Sequence, residues 1–250
     1  MHFARSVVLS VSLAFVALAA HAEPNWRPIK QSEGREGINT WARPVDGMAV
    51  KEFKGVTEVH ASILSVMSLM NDIPNLPSWV FNCRLAERPV GISKDHRYMQ
   101  FNGIWPASDR DVLVKVSASQ QNDHSISIIT NHVDEYAERD GFVRMPCVRS
   151  SFRITPLKDG WTKAEYETRV DLGGMVPAWL AGMVSTKAPF VTLEGLQREI
   201  KQAKYQTIKS PKELTADLWR GAPMVVPEGH RLKVYSMTFT SCPNLGSPPA

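Results

Sequence analysis

The sequence predicts an α+β fold in which a long helix lies over a strongly curved antiparallel sheet. Three observations predict it. About nine short runs of β-branched and aromatic residues recur between turn signals, several alternating apolar with polar side chains. The period switches once to a helical one, after the third run. A single long helical stretch then follows the last strand.

In chain order, residues 1–22 stand apart. Arg5 is followed by the uncharged stretch Val7 to Ala20, and Ala20-His21-Ala22 has the small-x-small form of a cleavage site before Glu23. This reads as a secretory signal peptide. The rival reading, a membrane anchor, fails on length, because the stretch covers about 21 Å as helix against a hydrocarbon core of ~30 Å. No Cys lies near the cleavage point, which argues against a lipoprotein. The mature chain is therefore expected to be exported, to a bacterial periplasm or beyond it.

Glu23 to Glu36 is polar, with Pro24 and Pro28, and reads as a lead-in segment with some helix. Gly37 to Arg43, Met48 to Phe53 and Val56 to His60 read as a three-strand meander broken at Pro44-Val45-Asp46-Gly47 and at Gly55. In Ala61 to Asp72, Ile63, Val66, Met67 and Met70 recur at helical spacing, and Ile73-Pro74-Asn75-Leu76-Pro77 ends that helix. Six further strands follow: Cys83 to Arg88, His96 to Asn102, Asp111 to Ser119, Ser125 to Asp134, Val148 to Thr155 and Thr162 to Val170. Pro89-Val90-Gly91, Asn122-Asp123, Asp140-Gly141 and Asp159-Gly160 punctuate them. In the last, Lys163, Glu165, Glu167 and Arg169 alternate with Ala164, Tyr166, Thr168 and Val170, so one sheet face is charged and the other covered. Asp171-Leu172-Gly173-Gly174 breaks the sheet. The long helix runs from about Pro177 to Gln206, with Pro189 expected to kink or divide it. Residues 23–206 form one domain and 207–250 an extension with one strand, Leu232 to Phe239.

The chain carries 29 Lys+Arg against 25 Asp+Glu, a net +4, with no Lys/Arg run longer than two, so a nucleic-acid footprint is excluded. There is no phosphate loop, no His-Glu-x-x-His and no Gly-x-Ser-x-Gly, and no metal or cofactor is expected. His132 with Asp134 and Glu135 reads as a solvated strand end. Asp109-Arg110-Asp111 reads as a strand-start ion-pair cluster rather than an acid/base pair or anion clamp. Cys83, Cys147 and Cys242 admit one disulfide and one free thiol, with no pairing preferred.

Several motifs stand in a recognisable order. Tyr98-Met99-Gln100-Phe101 precedes Trp105-Pro106-Ala107-Ser108-Asp109-Arg110-Asp111. Val143-Arg144-Met145 follows, then Val170-Asp171-Leu172-Gly173-Gly174-Met175-Val176-Pro177-Ala178-Trp179-Leu180. The helix reads Lys187-Ala188-Pro189-Phe190-Val191-Thr192-Leu193-Glu194-Gly195-Leu196. Over about Trp41 to Gln206 this set resembles the START family (steroidogenic acute regulatory protein-related lipid transfer domains) in its bacterial form.

The resemblance implies a helix-grip fold, a sheet of about nine strands curled around the C-terminal helix, with a tunnel between them for one hydrophobic ligand. It places Met99, Phe101, Val112, Val114, Met145, Cys147, Tyr166 and Thr168 on the concave wall. Met175, Trp179, Met183 and Val184 come from the gate loop and helix. Cys147 becomes the free thiol expected in the tunnel. The acidic/basic pair of cholesterol-binding members falls on Arg97 and Val116 and is missing, so cholesterol specificity does not carry over. Arg97, facing inward, would favour an anionic ligand group.

The leading expectation is a non-enzymatic binder, and carrier, of a lipid or other hydrophobic molecule, with transient membrane contact eased by the mild positive charge. Two alternatives stand beside it. One is a helix-grip enzyme of cyclase or hydrolase type. The other is a ligand sensor signalling to a protein partner through the extension.

Overall fold

The computed structural model describes residues 25–207. The expected signal peptide and residues 208–250 of the expected extension, Leu232–Phe239 included, lie outside the described residues.

The elements follow the alternation of the sequence. They are β1 (Arg27–Lys30), β2 (Asn39–Arg43), β3 (Glu52–Val59), α1 (Ile63–Asn71), a 3-10 turn (Ile73–Ser78), β4 (Cys83–Glu87), β5 (His96–Phe101) and β6 (Arg110–Gln120). β7 (Ile126–His132), β8 (Val143–Arg144), β9 (Cys147–Pro156), β10 (Thr162–Asp171), α2 (Ala178–Glu199) and α3 (Ala203–Gln206) complete them. The sheet order is β1-β2-β3-β10-β9-β7-β6-β5-β4, every neighbour antiparallel, and short β8 pairs parallel with β6 off this path. The third strand thus partners the last, which curls the sheet without closing it.

Packing follows from strand parity. Ser62 caps α1, its hydroxyl accepting from the Ser65 N–H at 3.1 Å, and Ile63, Val66 and Met67 turn inward. The main core joins α1 to Val112, Val114, Ile126, Ile154 and Leu196. A second cluster seats the first half of α2, through Leu180, Ala181, Val184 and Ala188, on Ala42, Val50 and Phe53. The far end is tied down by Tyr205, whose hydroxyl donates to Asp72 Oδ2 at 2.7 Å, while Asn75 Nδ2 donates to Glu199 Oε2 at 3.2 Å.

Four expectations need correction. The lead-in carries strand β1, not helix, because Arg27, Pro28 and Lys30 register against the edge of β2. The two strands expected over Met48 to Phe53 and Val56 to His60 are one, β3, which runs from Glu52 to Val59. Gly55 lies inside β3, where the side chain of α2's Leu193 fills the space a Cβ would need, 2.6 Å away. Pro189 does not divide α2, which runs unbroken from Ala178 to Glu199 with Pro189 on its buried face over Gly55. The long helix breaks instead between Glu199 and Ala203, where Gln202 takes an extended backbone and opens α3.

Candidate functional site

Between the concave sheet face and α2 lies a cavity of about 400 Å³. Its wall is assembled by alternation. Arg97, Met99 and Phe101 come from β5; Arg110, Val112, Val114, Val116 and Ala118 from β6. Val148, Ser150 and Phe152 come from β9, and Tyr166, Thr168 and Val170 from β10. Each series steps by two residues, the pitch at which a strand returns to the same face. Leu180, Val184, Ala188 and Thr192 come from α2 at intervals of four, one helical stripe. The loop Gly103–Ala107 and Leu172 border one end, and α1 with Leu76 and Trp79 the other.

The wall is mostly apolar, with a few polar groups. Tyr166 stacks on Phe152, ring centroids 4.4 Å apart, and meets Phe53 edge-on at 6.2 Å. It keeps some accessible surface. It is nonetheless enclosed by protein, which pushes its hydroxyl up to about 12 while Thr168 pulls the other way. The two observations agree only if its free surface opens on the cavity. Thr168 Oγ1 donates to the Arg149 carbonyl at 3.1 Å. Arg97, 2% exposed, donates from Nη1 to the carbonyls of Lys94 and His96 at 2.5 and 2.8 Å.

The charge cluster Asp109-Arg110-Asp111 divides by parity. Asp111 points away from the cavity and takes a two-point contact from Arg144 (2.8 and 3.0 Å) and a 2.8 Å hydrogen bond from the Tyr98 hydroxyl. Asp109 accepts from the Gly103 N–H at 2.8 Å and from Arg84 at 2.6 Å. Both acids are ion-paired, but with Arg84 and Arg144 from elsewhere in the fold and not, as expected, within the cluster. Arg110, between them, shares the parity of Val112 and Val114, lines the cavity, and donates to the carbonyls of Ser108 and Leu172. Burial pulls its pKa below the ordinary value, with Asp109 acting in the opposite sense.

The loop after β10 is shaped by two consecutive glycines with φ of +64° and +61°. A Cβ on Gly173 would sit 2.8 Å from the Arg144 carbonyl, and Asp171 Oδ1 accepts the Gly173 N–H at 2.9 Å. Around this mouth stand large apolar side chains facing solvent: Met175 at 96% exposure, Trp105 at 87% and Trp179 at 57%.

Of the residues expected in the tunnel, Arg97, Met99, Phe101, Val112, Val114, Met145, Tyr166, Thr168 and Val184 line the cavity; Cys147, Met175, Trp179 and Met183 do not. Cys147 has the parity of Arg149 and Ser151, away from the cavity, and it is disulfide-bonded; Cys83 is the free, buried thiol. Trp179 and Met183 each precede a cavity-facing position, Leu180 and Val184, and lie about 100° round the helix from it. Met175 points outward from the loop. Reasoning from the sequence missed Ser150, Phe152, Arg110 and the α1-end residues Met67, Met70 and Trp79. The two-residue step already put Arg110 with Val112, and Phe152 with Val148.

Comparison with known proteins places these features in a family. The model of the START domain matches residues 6–199. An uncharacterized Pseudomonas aeruginosa protein, PA1579, is 27% identical over 195 residues, covering 77% of this chain and 95% of its own. The crystal structure of a STAR-related lipid transfer protein from Xanthomonas axonopodis superposes with a TM-score of 0.63 at 25% identity, over 71% of this chain and 99% of that one. Human StAR-related lipid transfer protein 5 shares the fold, with a TM-score of 0.62 at 19% identity, over 71% and 86% of the two chains.

Proposed function

The chain belongs to the START domain family, and from that premise we propose that it binds one lipid or similar hydrophobic molecule in the cavity and carries it between membranes, without catalysis. The observation that carries the reading is the cavity itself. About 400 Å³ bounded by Val112, Val114, Val116, Ile128, Phe152 and Leu180 is room for roughly a dozen waters, yet few polar groups are there to hold them. A hydrocarbon chain satisfies such a wall. Burying on the order of 300 Å² of it at ~25 cal/mol per Å² contributes about 7 kcal/mol before the costs of association.

The non-catalytic reading is supported by the composition of the wall. Its ionisable members are Arg97, Arg110 and Tyr166, and Tyr166 is held far above neutrality. None is poised to exchange a proton near pH 7. The relatives' description as lipid transfer proteins points the same way.

Carrying requires contact with a bilayer. Trp105, Met175 and Trp179 stand exposed on the two loops that border the cavity and on the first turn of α2, where an amphipathic ring prefers the membrane interface. Residues 1–22 supply the reading of export to the periplasm. The test is transfer of a fluorescent lipid between two vesicle populations. Wild-type protein accelerates it, and the double variant W105S/W179S loses most of that acceleration. Undiminished transfer by the double variant removes the docking role; no acceleration by the wild type removes the carrier.

A further inference from the structure

Arg110 is at odds with its surroundings. It is 6% exposed, and its charge cannot be shed, since a guanidinium stays protonated. Arg43, Arg84, Arg144, Arg153 and Arg169 each meet a carboxylate. Arg110 is more deeply buried than any of them and makes no ion pair among the described residues. Its hydrogen bonds end on two backbone carbonyls, Ser108 and Leu172 at 3.5 Å. The neighbouring Asp109 is already engaged by Arg84 and the Gly103 N–H. The cavity wall offers no carboxylate either. A buried cation without a counter-anion is costly, and a charge-assisted contact recovers most where water is excluded.

Its position adds direction. Arg110 opens β6 at the end bordered by Gly103–Ala107 and Leu172, and Val112, Val114, Val116 and Ala118 continue from it along the floor. That row extends about 26 Å at the strand's rise per residue. A second guanidinium, Arg97, faces the same cavity beside Val114, so the wall is cationic at two points along this floor.

Resting on the reading that the cavity holds a hydrophobic ligand, we propose that this ligand is an amphiphile with an oxyanion head, carboxylate or phosphate, seated against Arg110 at the mouth with its chain along β6. The two carbonyls that Arg110 holds belong to the two mouth loops. Seating the head therefore competes with the contact that ties those loops together.

The experiment is displacement of the neutral dye N-phenyl-1-naphthylamine from the full chain at pH 8, by hexadecanoate, hexadecyl phosphate and hexadecanol below their micellar limits. One of the two anions is expected to displace the dye at about one-tenth the concentration of hexadecanol or less, and the better one distinguishes carboxylate from phosphate. In R110Q the anion-to-alcohol ratio falls towards one, whereas R110K retains much of it. K115Q, which removes one charge from an exposed site on the opposite face, leaves the ratio intact. The ratio is internal to each variant, so a general loosening of the fold does not mimic the loss. Dye binding with a ratio near one in the wild type overturns the oxyanion head alone, and so does an unchanged ratio in R110Q. Failure of the wild type to bind the dye overturns the cavity reading with it.

Discussion

Two glycines in α2 make opposite predictions for one substitution. Gly182 is exposed, and a Cβ built there meets nothing within 4 Å. Gly195 lies against the segment after the 3-10 turn, where a Cβ would stand 2.6 Å from the Trp79 carbonyl oxygen, 2.7 Å from its Cα and 2.9 Å from its Cβ. Replacing Gly by Ala inside a helix is worth up to about 1 kcal/mol in propensity. At Gly182 that gain stands alone, so G182A stabilises by about 1 kcal/mol. At Gly195 the obstacle is mostly backbone and cannot rotate away, which puts the overpacking cost near the upper end of its range, ~3 kcal/mol. G195A is therefore a net loss of about 2 kcal/mol. For a chain of this size the two variants move Tm by about +2 to +4 °C and −4 to −8 °C. Urea denaturation followed by circular dichroism, with an unchanged slope, checks both. If the two substitutions stabilise alike, α2 is not seated on Trp79, and the contact that holds the cavity's roof at this end is refuted.

Other perturbations probe the supports of the site. Burial and the neighbouring Glu52 carboxylate push Glu167 up to about 7. The folded chain therefore keeps a proton that the unfolded chain has lost between about pH 4.5 and 7, and stability falls as pH rises through that window. E167Q removes the decline and should gain about 2 kcal/mol at pH 8, allowing for the group's partial exposure, and almost nothing at pH 4.5; equal gains at both pH values would contradict this. D111N breaks the two-point contact with Arg144 and should cost about 3–5 kcal/mol, while Y98F, removing one hydrogen bond to the same carboxylate, should cost about 1 kcal/mol; comparable losses in urea midpoint would mean the pair is not the brace. V184W fills the cavity from the α2 side and should abolish dye and lipid uptake with the circular dichroism spectrum retained.

What the sequence made legible was what period alone determines. Tyr166 stands between Glu165 and Glu167, and Val112 and Val114 step by two between Asp111 and Lys115, so their face was readable. The single switch to helical spacing marked α1. Gly55 and Pro189 misled because local propensity argues for a break at each, whereas here Gly55 makes room for a helix packed over it and Pro189 lies on that helix's buried face. Neither contact has a local signal. Cys147 differs for another reason: the family position implies the concave wall, whereas the two-residue step from Val148 turns it to the other face. Arg110 was hidden by its neighbours. Two acids beside it suggested mutual pairing, but adjacent strand residues face opposite ways, and the acids found Arg84 and Arg144 instead. The α1-end lining from Met67, Met70 and Trp79 arises from tertiary closure and was not readable from any spacing.

The central claim is that the cavity is occupied in the working protein. Native mass spectrometry of the full chain purified from its host, followed by extraction of what it releases, tests this most directly. The expected result is a mass increment of one ligand per chain, identified on extraction as an amphiphile with a hydrocarbon tail. Protein that is repeatedly empty, and that takes up nothing from a panel of lipids, would contradict it.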